Sequence, residues 1–197
     1  MARRMPYQAV AIGVSSGGVQ ALKRLLGALP PDFPLPVLIV QHISPDAGGG
    51  MARLLDDLCA IRVKEADEQD AIEPATVYLA PPNYHLLVEN GGFLALSADP
   101  PVSYARPSVD VLFESAAAVF GAGLIGIVLT GANYDGARGV QAIKRRGGMV
   151  VVQDPEDAET PQMPQAALAA VTPDHVVPLG GMAALLMRLA GVEHADA

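Results

Sequence analysis

Several residue types are scarce in this chain, and each shortage excludes a class of protein. The 197 residues include a single cysteine, Cys59, so no internal disulfide can form and no paired-cysteine zinc or redox site is available. A reducing, cytoplasmic setting fits that composition best. No apolar run approaches the roughly 18 residues that a membrane span needs, so the sequence predicts no transmembrane helix and no membrane insertion.

Basic residues are also few. Lys and Arg number 13 against 21 Asp and Glu, which gives a formal net charge of −8. Because binding to phosphate backbones depends largely on Lys and Arg, this balance argues against a nucleic-acid partner. The basic pair Arg3-Arg4 precedes too short an apolar stretch to form an export signal.

Hydrophobic residues, by contrast, make up 51% of the chain and occur along its whole length. A chain of this size can therefore bury a sizeable core, and disorder is excluded as its main state. No linker-like segment divides the sequence, so we predict a single domain over residues 1–197.

The hydrophobic pattern alternates short β-rich runs with amphipathic helical stretches. Strands are predicted at 8–12, 37–40, 61–63, 76–79, 85–88, 93–96, 124–129 and 149–152. Helices are predicted over about 22–29, 51–58, 107–120, 135–146, 164–170 and 182–189. The turn Asn90-Gly91-Gly92 between two alternating runs indicates a β-hairpin. We therefore predict an α/β fold with a doubly wound, mostly parallel sheet flanked by helices, and an antiparallel β-hairpin insertion.

Three chemically competent residues follow strands of this predicted sheet. Ser15 lies in the motif GVSSG (13–17), which matches the Gly-x-Ser-x-Gly turn that exposes a serine hydroxyl above a sheet. His42 ends the second strand, and Asp135 follows the strand at 124–129. Because the carboxyl ends of parallel strands share one edge, we expect the three side chains to meet there.

That combination suits hydrolysis. A serine needs a base to take its proton, and a histidine is well matched to that task near neutral pH. A carboxylate behind the ring orients it and stabilises the imidazolium that forms. The Ser16 N–H, at the start of the following helix, is the first candidate for an oxyanion donor.

Each of these residues also has a purely structural interpretation. Ser15 can cap a helix in a tight turn, His42 can simply close a strand, and Asp135 can cap the helix that follows it. Asp46 and Asp154 are rival carboxylates, because each also follows a strand closely. The remaining histidines, His85, His175 and His194, are predicted to lie far from this edge.

Two familiar scaffolds do not fit the same turn. A dinucleotide fingerprint would require glycine at the position of Ser15 and an acidic residue where Gln41-His42 ends the second strand. In α/β-hydrolases the chain order is serine, acid, histidine, whereas here the histidine precedes the acid. The chemistry is therefore expected on a different scaffold.

The chain carries a series of short motifs in a fixed order over about residues 9–189. They are IGVSSGG (12–18), QHISP (41–45), YLAPP (78–82), RPSVDVLF (106–113), LTG (129–131), DG (135–136) and MP (163–164). Together they resemble the catalytic domain of the CheB family, the chemotaxis protein-glutamate methylesterases. That resemblance implies hydrolysis of glutamate γ-methyl esters on the cytoplasmic helices of chemoreceptors, and deamidation of particular glutamines as a second candidate activity.

The resemblance also assigns roles. It implies Ser15 as the nucleophile, His42 as the base and Asp135, rather than Asp154, as the orienting carboxylate. Arg106 is a candidate contact for acidic receptor helices, with a surface arginine beside a turn as the equal alternative. No metal and no cofactor are implied, and the sequence fixes neither the receptor nor the oligomeric state.

Two departures from the family pattern matter. Family members usually carry a receiver domain ahead of this one, whereas about seven residues precede the first predicted strand, so we expect a fragment or a form without that switch. The segment GANYDG (131–136) stands where the family more often has Gly-Met-Gly-x-Asp-Gly. Ala132 takes the position associated with the second oxyanion donor, and Tyr134 is expected to narrow the entrance. A non-catalytic signalling module is the alternative that these departures favour.

Overall fold

A seven-stranded parallel sheet forms the centre of the protein, whose computed structural model describes residues 7–43 and 50–192. The strands, in chain order, are β1 Ala9–Val14, β2 Val37–Gln41, β3 Arg62–Glu65, β4 Thr76–Leu79, β5 His85–Glu89, β6 Phe93–Ser97, β7 Leu124–Val128, β8 Met149–Gln153 and β9 His175–Val177. The sheet order is β3-β4-β2-β1-β7-β8-β9, while β5 and β6 form a separate antiparallel hairpin. The predicted fold class is confirmed.

Six helices cover the two faces of the sheet within the described residues. They are α1 Gly18–Leu26, α2 Met51–Leu58, α3 Val109–Phe120, α4 Ala137–Arg145, α5 Gln162–Ala170 and α6 Leu179–Leu189. Successive side chains of a strand point to opposite faces, so Val10, Ile12 and Val14 of β1 pack with α1, α2 and α6. Ala9 and Ala11 pack on the other face with α3, α4, α5 and the hairpin.

Some element boundaries differ from the sequence prediction. The three-residue strand β9 was not predicted, because it is too short and too exposed to produce a periodic pattern. Helix α6 begins at Leu179 rather than at residue 182, since Gly180 and Gly181 weaken the helical signal there. Helix α4 begins at Ala137, two residues after the predicted start.

Strand β1 places the serine turn between the ends of two other strands. It pairs with β2 on one side, with Val14 opposite Gln41, and with β7 on the other, with Gly13 opposite Val128. The chain leaves β1 toward β2 and returns later to β7, so the strand order reverses beside β1. Crevices form outside the carboxyl ends of parallel strands at such a reversal.

The described helices do not include a membrane-spanning candidate. Over residues 7–43 and 50–192, none combines the length and the apolar character that crossing a bilayer requires.

Candidate active site

The turn that carries Ser15 is fixed by hydrogen bonds from both neighbouring loops. The Ser15 N–H donates to the carbonyl of Thr130 at 2.9 Å, and the Ser15 carbonyl accepts Gln41 Nε2 at 2.9 Å. Gly17 has φ +79°, a left-handed conformation that glycine adopts without strain, and it leads into α1. The chain can therefore turn sharply between β1 and α1.

His42 follows β2 and faces a buried carboxylate. Its backbone N–H donates to Val14 at 3.0 Å, which keeps it in line with the end of β1. Its Nε2 lies 2.8 Å from Oδ2 of Asp135, and the two side chains are 12% and 0% exposed. Two of the three residues predicted to meet at this edge are therefore in direct contact.

Asp135 does not cap the helix that follows it, although that structural interpretation was open. The residue that precedes α4 is Gly136, and no side-chain hydrogen bond caps that helix from this position. Instead the Asp135 carboxylate accepts the Ser108 hydroxyl at 2.9 Å and the N–H groups of Val109 and Asp110 at 2.7 and 3.0 Å, at the start of α3. These donors fix the orientation of the carboxylate that faces His42.

Asp110 has the complementary arrangement. Its Oδ1 accepts the N–H groups of Gly136 and Gly139 at 3.0 and 2.8 Å, at the start of α4, and Arg138 Nε lies 3.3 Å from its Oδ2. Burial raises the pKa of Asp110 above its usual range, and the hydrogen bond from Gly139 acts in the opposite direction. The two helix starts are thus held together by two buried carboxylates.

Asn133 contacts the other nitrogen of His42. Its Nδ2 lies 3.1 Å from His42 Nδ1, and its Oδ1 accepts the backbone N–H of Asp135 at 3.0 Å. In the sequence, Asn133 is marked only as part of the altered GANYDG segment, and its contact with the histidine is evident only in the structure.

A cavity of about 330 Å³ opens beside these groups. Ser15 and His42 both line it, but the Ser15 hydroxyl makes no hydrogen bond with any residue in the described part of the chain. The lining residues are Ser15, His42, Ile43, Asn83, Pro101, Tyr104, Ala105, Arg106, Pro107 and Asn133. The cavity is large enough for a side-chain ester or amide.

Arg106 belongs to the wall of this cavity. Its Nε and Nη2 donate to Oδ1 of Asn83 at 3.1 and 2.7 Å. Its Nη1 donates to the carbonyls of Ala98 and Asp99 at 2.7 and 3.0 Å. Most of the guanidinium donors therefore hold the wall, and the predicted contact with substrate stays a prediction.

The two predicted oxyanion donors flank the cavity without lining it. Ser16 and Ala132 are exposed, and each is adjacent in sequence to a lining residue. Among the described residues, neither backbone N–H has a hydrogen-bond acceptor, so both groups are free to donate.

The other residues considered from sequence have different environments. Asp154 accepts the N–H of Glu156 at 3.0 Å and does not contact His42, while Asp46 and His194 lie outside the described residues. The expectation that His85 lies far from the site was wrong: its Nδ1 accepts the N–H of Ser108 at 3.2 Å. Since Ser108 also bonds Asp135, two hydrogen bonds connect His85 to the carboxylate. His175 lies in the edge strand β9.

Polar residues that support the site were not assigned a role from sequence. Gln41 Nε2 holds the carbonyls of Ser15 and His42, both at 2.9 Å, and its Oε1 is buried without a partner in the described part of the chain. Thr130 Oγ1 lies 2.8 Å from the carbonyl of Ser16. Ser108 is fully buried against Asp135. The sequence marks these three residues only as polar side chains near predicted site residues, in stretches that are otherwise apolar.

Metal ligands are not grouped in this region. Over residues 7–43 and 50–192, no three His, Cys, Asp or Glu side chains lie together as a metal site would require.

Comparisons of the sequence and of the structure with known proteins agree on one family. The CheB methylesterase family matches residues 10–186. A Leptospira interrogans protein is 48% identical over 185 residues, which cover 94% of this chain and 96% of its own length. The crystal structure of the Thermotoga maritima CheB methylesterase catalytic domain superposes with a TM-score of 0.89 at 32% identity, covering 93% of this chain and 98% of that one.

Longer relatives match over part of their length. The protein-glutamate methylesterase/protein-glutamine glutaminase of Symbiobacterium thermophilum is 38% identical, over 95% of this chain and 52% of its own. The protein-glutamate methylesterase FrzG of Myxococcus xanthus is 41% identical, over 93% of this chain and 55% of its own. The chain therefore spans about half the length of these two proteins.

Proposed function

The chain belongs to the CheB methylesterase family, and on that premise we propose that it is a serine hydrolase that removes the methyl group from glutamate γ-methyl esters of chemoreceptors. The observation that carries the proposal is the 2.8 Å contact between His42 and Asp135 beside a cavity that Ser15 lines. This contact orients the proposed base in the cavity that Ser15 also lines, and the Ser15 hydroxyl makes no hydrogen bond with any described residue.

Ser15 is the proposed nucleophile. Its hydroxyl oxygen attacks the ester carbonyl while His42 takes the hydroxyl proton, and the Asp135 carboxylate stabilises the imidazolium. Collapse of the tetrahedral intermediate breaks the bond to methoxide, which leaves as methanol with the proton from His42. Water then attacks the acyl-enzyme by the same route and releases the glutamate carboxylate and the Ser15 hydroxyl.

The oxyanion of each intermediate needs donors close to the attacked carbon. The backbone N–H groups of Ser16 and Ala132 are the proposed donors, and their freedom from other described acceptors supports that role. Losing one such donor typically costs a hundred- to a thousand-fold in turnover.

Deamidation of glutamine follows the same sequence of steps. Ammonia leaves in place of methanol, again with a proton from His42. The relatives named as protein-glutamine glutaminases support this second activity as part of the proposal.

The proposed substrates are acidic, and so is this chain, at −8 overall. Each turnover also produces another carboxylate, so repulsion favours release of product. Docking then needs a local positive charge, and we assign this role to Arg106 at the cavity wall. The proposed partners are the cytoplasmic helices of methyl-accepting chemoreceptors, and the proposed place of action is the cytoplasm.

Mass analysis of methylated receptor cytoplasmic fragment tests the proposal directly. Incubation with the protein should lower the mass by about 14 Da per ester, because hydrolysis of a methyl ester to a carboxylic acid is a net loss of CH₂. Ser15→Ala should abolish this loss. Ser115→Ala is the matched control, because the Ser115 hydroxyl bonds backbone groups of α3 and β5 rather than the cavity. Activity that survives Ser15→Ala would contradict the assignment.

A non-catalytic signalling module is the second candidate. It is favoured by the missing contact between the Ser15 hydroxyl and His42, and by the altered GANYDG loop. Reaction of Ser15 with diisopropyl fluorophosphate separates the two functions, since only an activated serine displaces the fluoride and is phosphorylated at an appreciable rate. A rate equal to that of free serine would favour the module.

A further inference from the structure

The side chain of Asn133 occupies the nitrogen of His42 that would have to act as the base. Its Nδ2 is 3.1 Å from His42 Nδ1, while its Oδ1 accepts the N–H of Asp135 at 3.0 Å. The second contact fixes the orientation of the amide, because a reversed amide would set NH₂ hydrogens against the Asp135 N–H. Asn133 therefore presents N–H hydrogens to the histidine.

The state of the imidazole follows from its other nitrogen. Nε2 lies 2.8 Å from an Asp135 carboxylate that accepts three further hydrogen bonds, so the carboxylate is an acceptor and Nε2 carries the ring proton. Nδ1 then has the lone pair, and Asn133 donates to it. An imidazole nitrogen has one such lone pair in the ring plane.

This arrangement conflicts with proton transfer. The Ser15 proton can reach Nδ1 only if Asn133 withdraws its N–H from the lone pair. Moreover, once the ring is protonated on both nitrogens, its new N–H would face the amide hydrogens of Asn133. A catalytic cycle therefore requires Asn133 to leave Nδ1 before the serine attacks.

The loop around Asn133 leaves room for that movement. Gly131 and Asp135 are buried, whereas Ala132 and Tyr134 between them are exposed. Gly131 is anchored through both of its backbone polar groups, to Thr160 at 2.8 Å and Met163 at 2.9 Å. Because Asn133 itself lines the cavity, its amide can rotate into open space while the ends of the loop stay in place.

We propose that Asn133 is a positioning residue that holds His42 in the substrate-free enzyme and yields Nδ1 to the Ser15 hydroxyl when an acyl group enters the cavity. The inference rests on the proposed hydrolase function. It also has a consequence for specificity, since an acyl group must fill enough of the cavity to displace the amide. Small esters are disfavoured relative to a side chain presented by a docked protein helix.

The test measures the rate at which diisopropyl fluorophosphate phosphorylates Ser15, followed by intact mass, in two variants. Asn133→Ala removes the competing donor, and we expect labelling about three- to tenfold faster than in the wild type. This ratio corresponds to the net free energy of one hydrogen bond. Asn133→Asp keeps an acceptor for the Asp135 N–H but presents an oxygen to Nδ1. We expect slower labelling at pH 7 and an acid limb of the pH–rate profile that moves to higher pH. Asn90→Ala, which removes an exposed amide in the hairpin turn, is the control expected to leave both unchanged.

The outcomes separate the two proposals. Labelling of Asn133→Ala that is equal to or slower than that of the wild type overturns the role of Asn133 and leaves the hydrolase intact. Absence of Ser15 labelling in the wild type and in every variant overturns both. If Asn133→Ala does not fold, judged by circular dichroism, an unchanged acid limb in Asn133→Asp overturns the role of Asn133.

Discussion

Asp135 and Asp110 each accept hydrogen bonds from the start of the other's neighbouring helix. Asp135, which precedes α4, accepts N–H groups from the start of α3. Asp110, which lies within α3, accepts N–H groups from the start of α4. Both carboxylates are buried, at 1% exposure each. These reciprocal hydrogen bonds link the orientation of Asp135, which contacts His42, to the packing of α3 against α4. Catalytic geometry and stability are therefore coupled at this point.

Removing the Asp110 acceptor should destabilise the protein. Asp110→Ala leaves the buried N–H groups of Gly136 and Gly139 without partners, and we expect the free energy of unfolding to fall by about 2–4 kcal/mol. Asp110→Asn keeps an oxygen that can accept both, so its loss should be about half as large. Urea denaturation measures both values. Equal losses would mean that the charge, rather than the acceptor oxygen, is what α4 requires.

Ser108 should contribute to catalysis through its hydrogen bond to Asp135. Ser108→Ala removes one of the four donors to Asp135, and we expect kcat/KM for methylated receptor to fall about 3- to 30-fold. Ser115→Ala, in the helix that Ser108 precedes but with no contact to Asp135, should change kcat/KM less than twofold. Similar effects of the two substitutions would contradict a specific role for the Ser108 hydroxyl.

Substitutions of Arg106 can distinguish its structural role in the cavity wall from its charge. Arg106→Lys keeps the positive charge but not the planar set of donors that binds Asn83 and two carbonyls. Because the lysine keeps the charge that docking needs, we expect Arg106→Lys to raise KM about threefold. Arg106→Ala removes the charge as well and should raise KM about tenfold. A lysine variant with the KM of the wild type would instead indicate that charge alone is sufficient.

Asp157 gives a prediction about pH. Hydrogen bonds from the Leu179 N–H and from Gln153 lower the pKa of Asp157 below its usual value. A carboxyl whose pKa is lower in the folded protein contributes stability above its unfolded pKa, and that contribution is lost as the pH falls through the folded value. We expect Asp157→Ala to cost about 1 kcal/mol at pH 7, the usual value of a helix cap.

The pH series provides the check on Asp157. The difference between wild type and Asp157→Ala, measured by urea denaturation, should be constant from pH 7 to about 5 and shrink below about pH 4. Asp32 is exposed and makes no side-chain hydrogen bond with a described residue, so Asp32→Ala is the control. A difference for Asp157→Ala that persists unchanged at pH 2.5 would argue against the lowered pKa.

The fold was accessible from the sequence because its signals are local. A buried parallel strand such as β1 is a short apolar run, and a turn such as GVSSG is marked by glycine at the position that needs positive φ. Strand β9 lacked such a signal, because it has three residues and half-exposed side chains. The single-domain prediction stays a prediction. So do the roles assigned to the site residues, which are Ser15, Ser16, His42, Arg106, Ala132 and Asp135.

The sequence by itself determined which residues end the strands, since hydrophobic period and turn chemistry depend on neighbours a few positions away. Only the tertiary structure decided what those residues contact. Asp135 meets His42 across 93 positions of chain and the N–H of Val109 across 26, so no local pattern could indicate that it serves α3 rather than α4. The same holds for Asn133, whose contact with His42 spans 91 positions. Hydrogen-bond partners at such separations are selected by packing of the whole sheet and its helices, and packing is not encoded in any short segment.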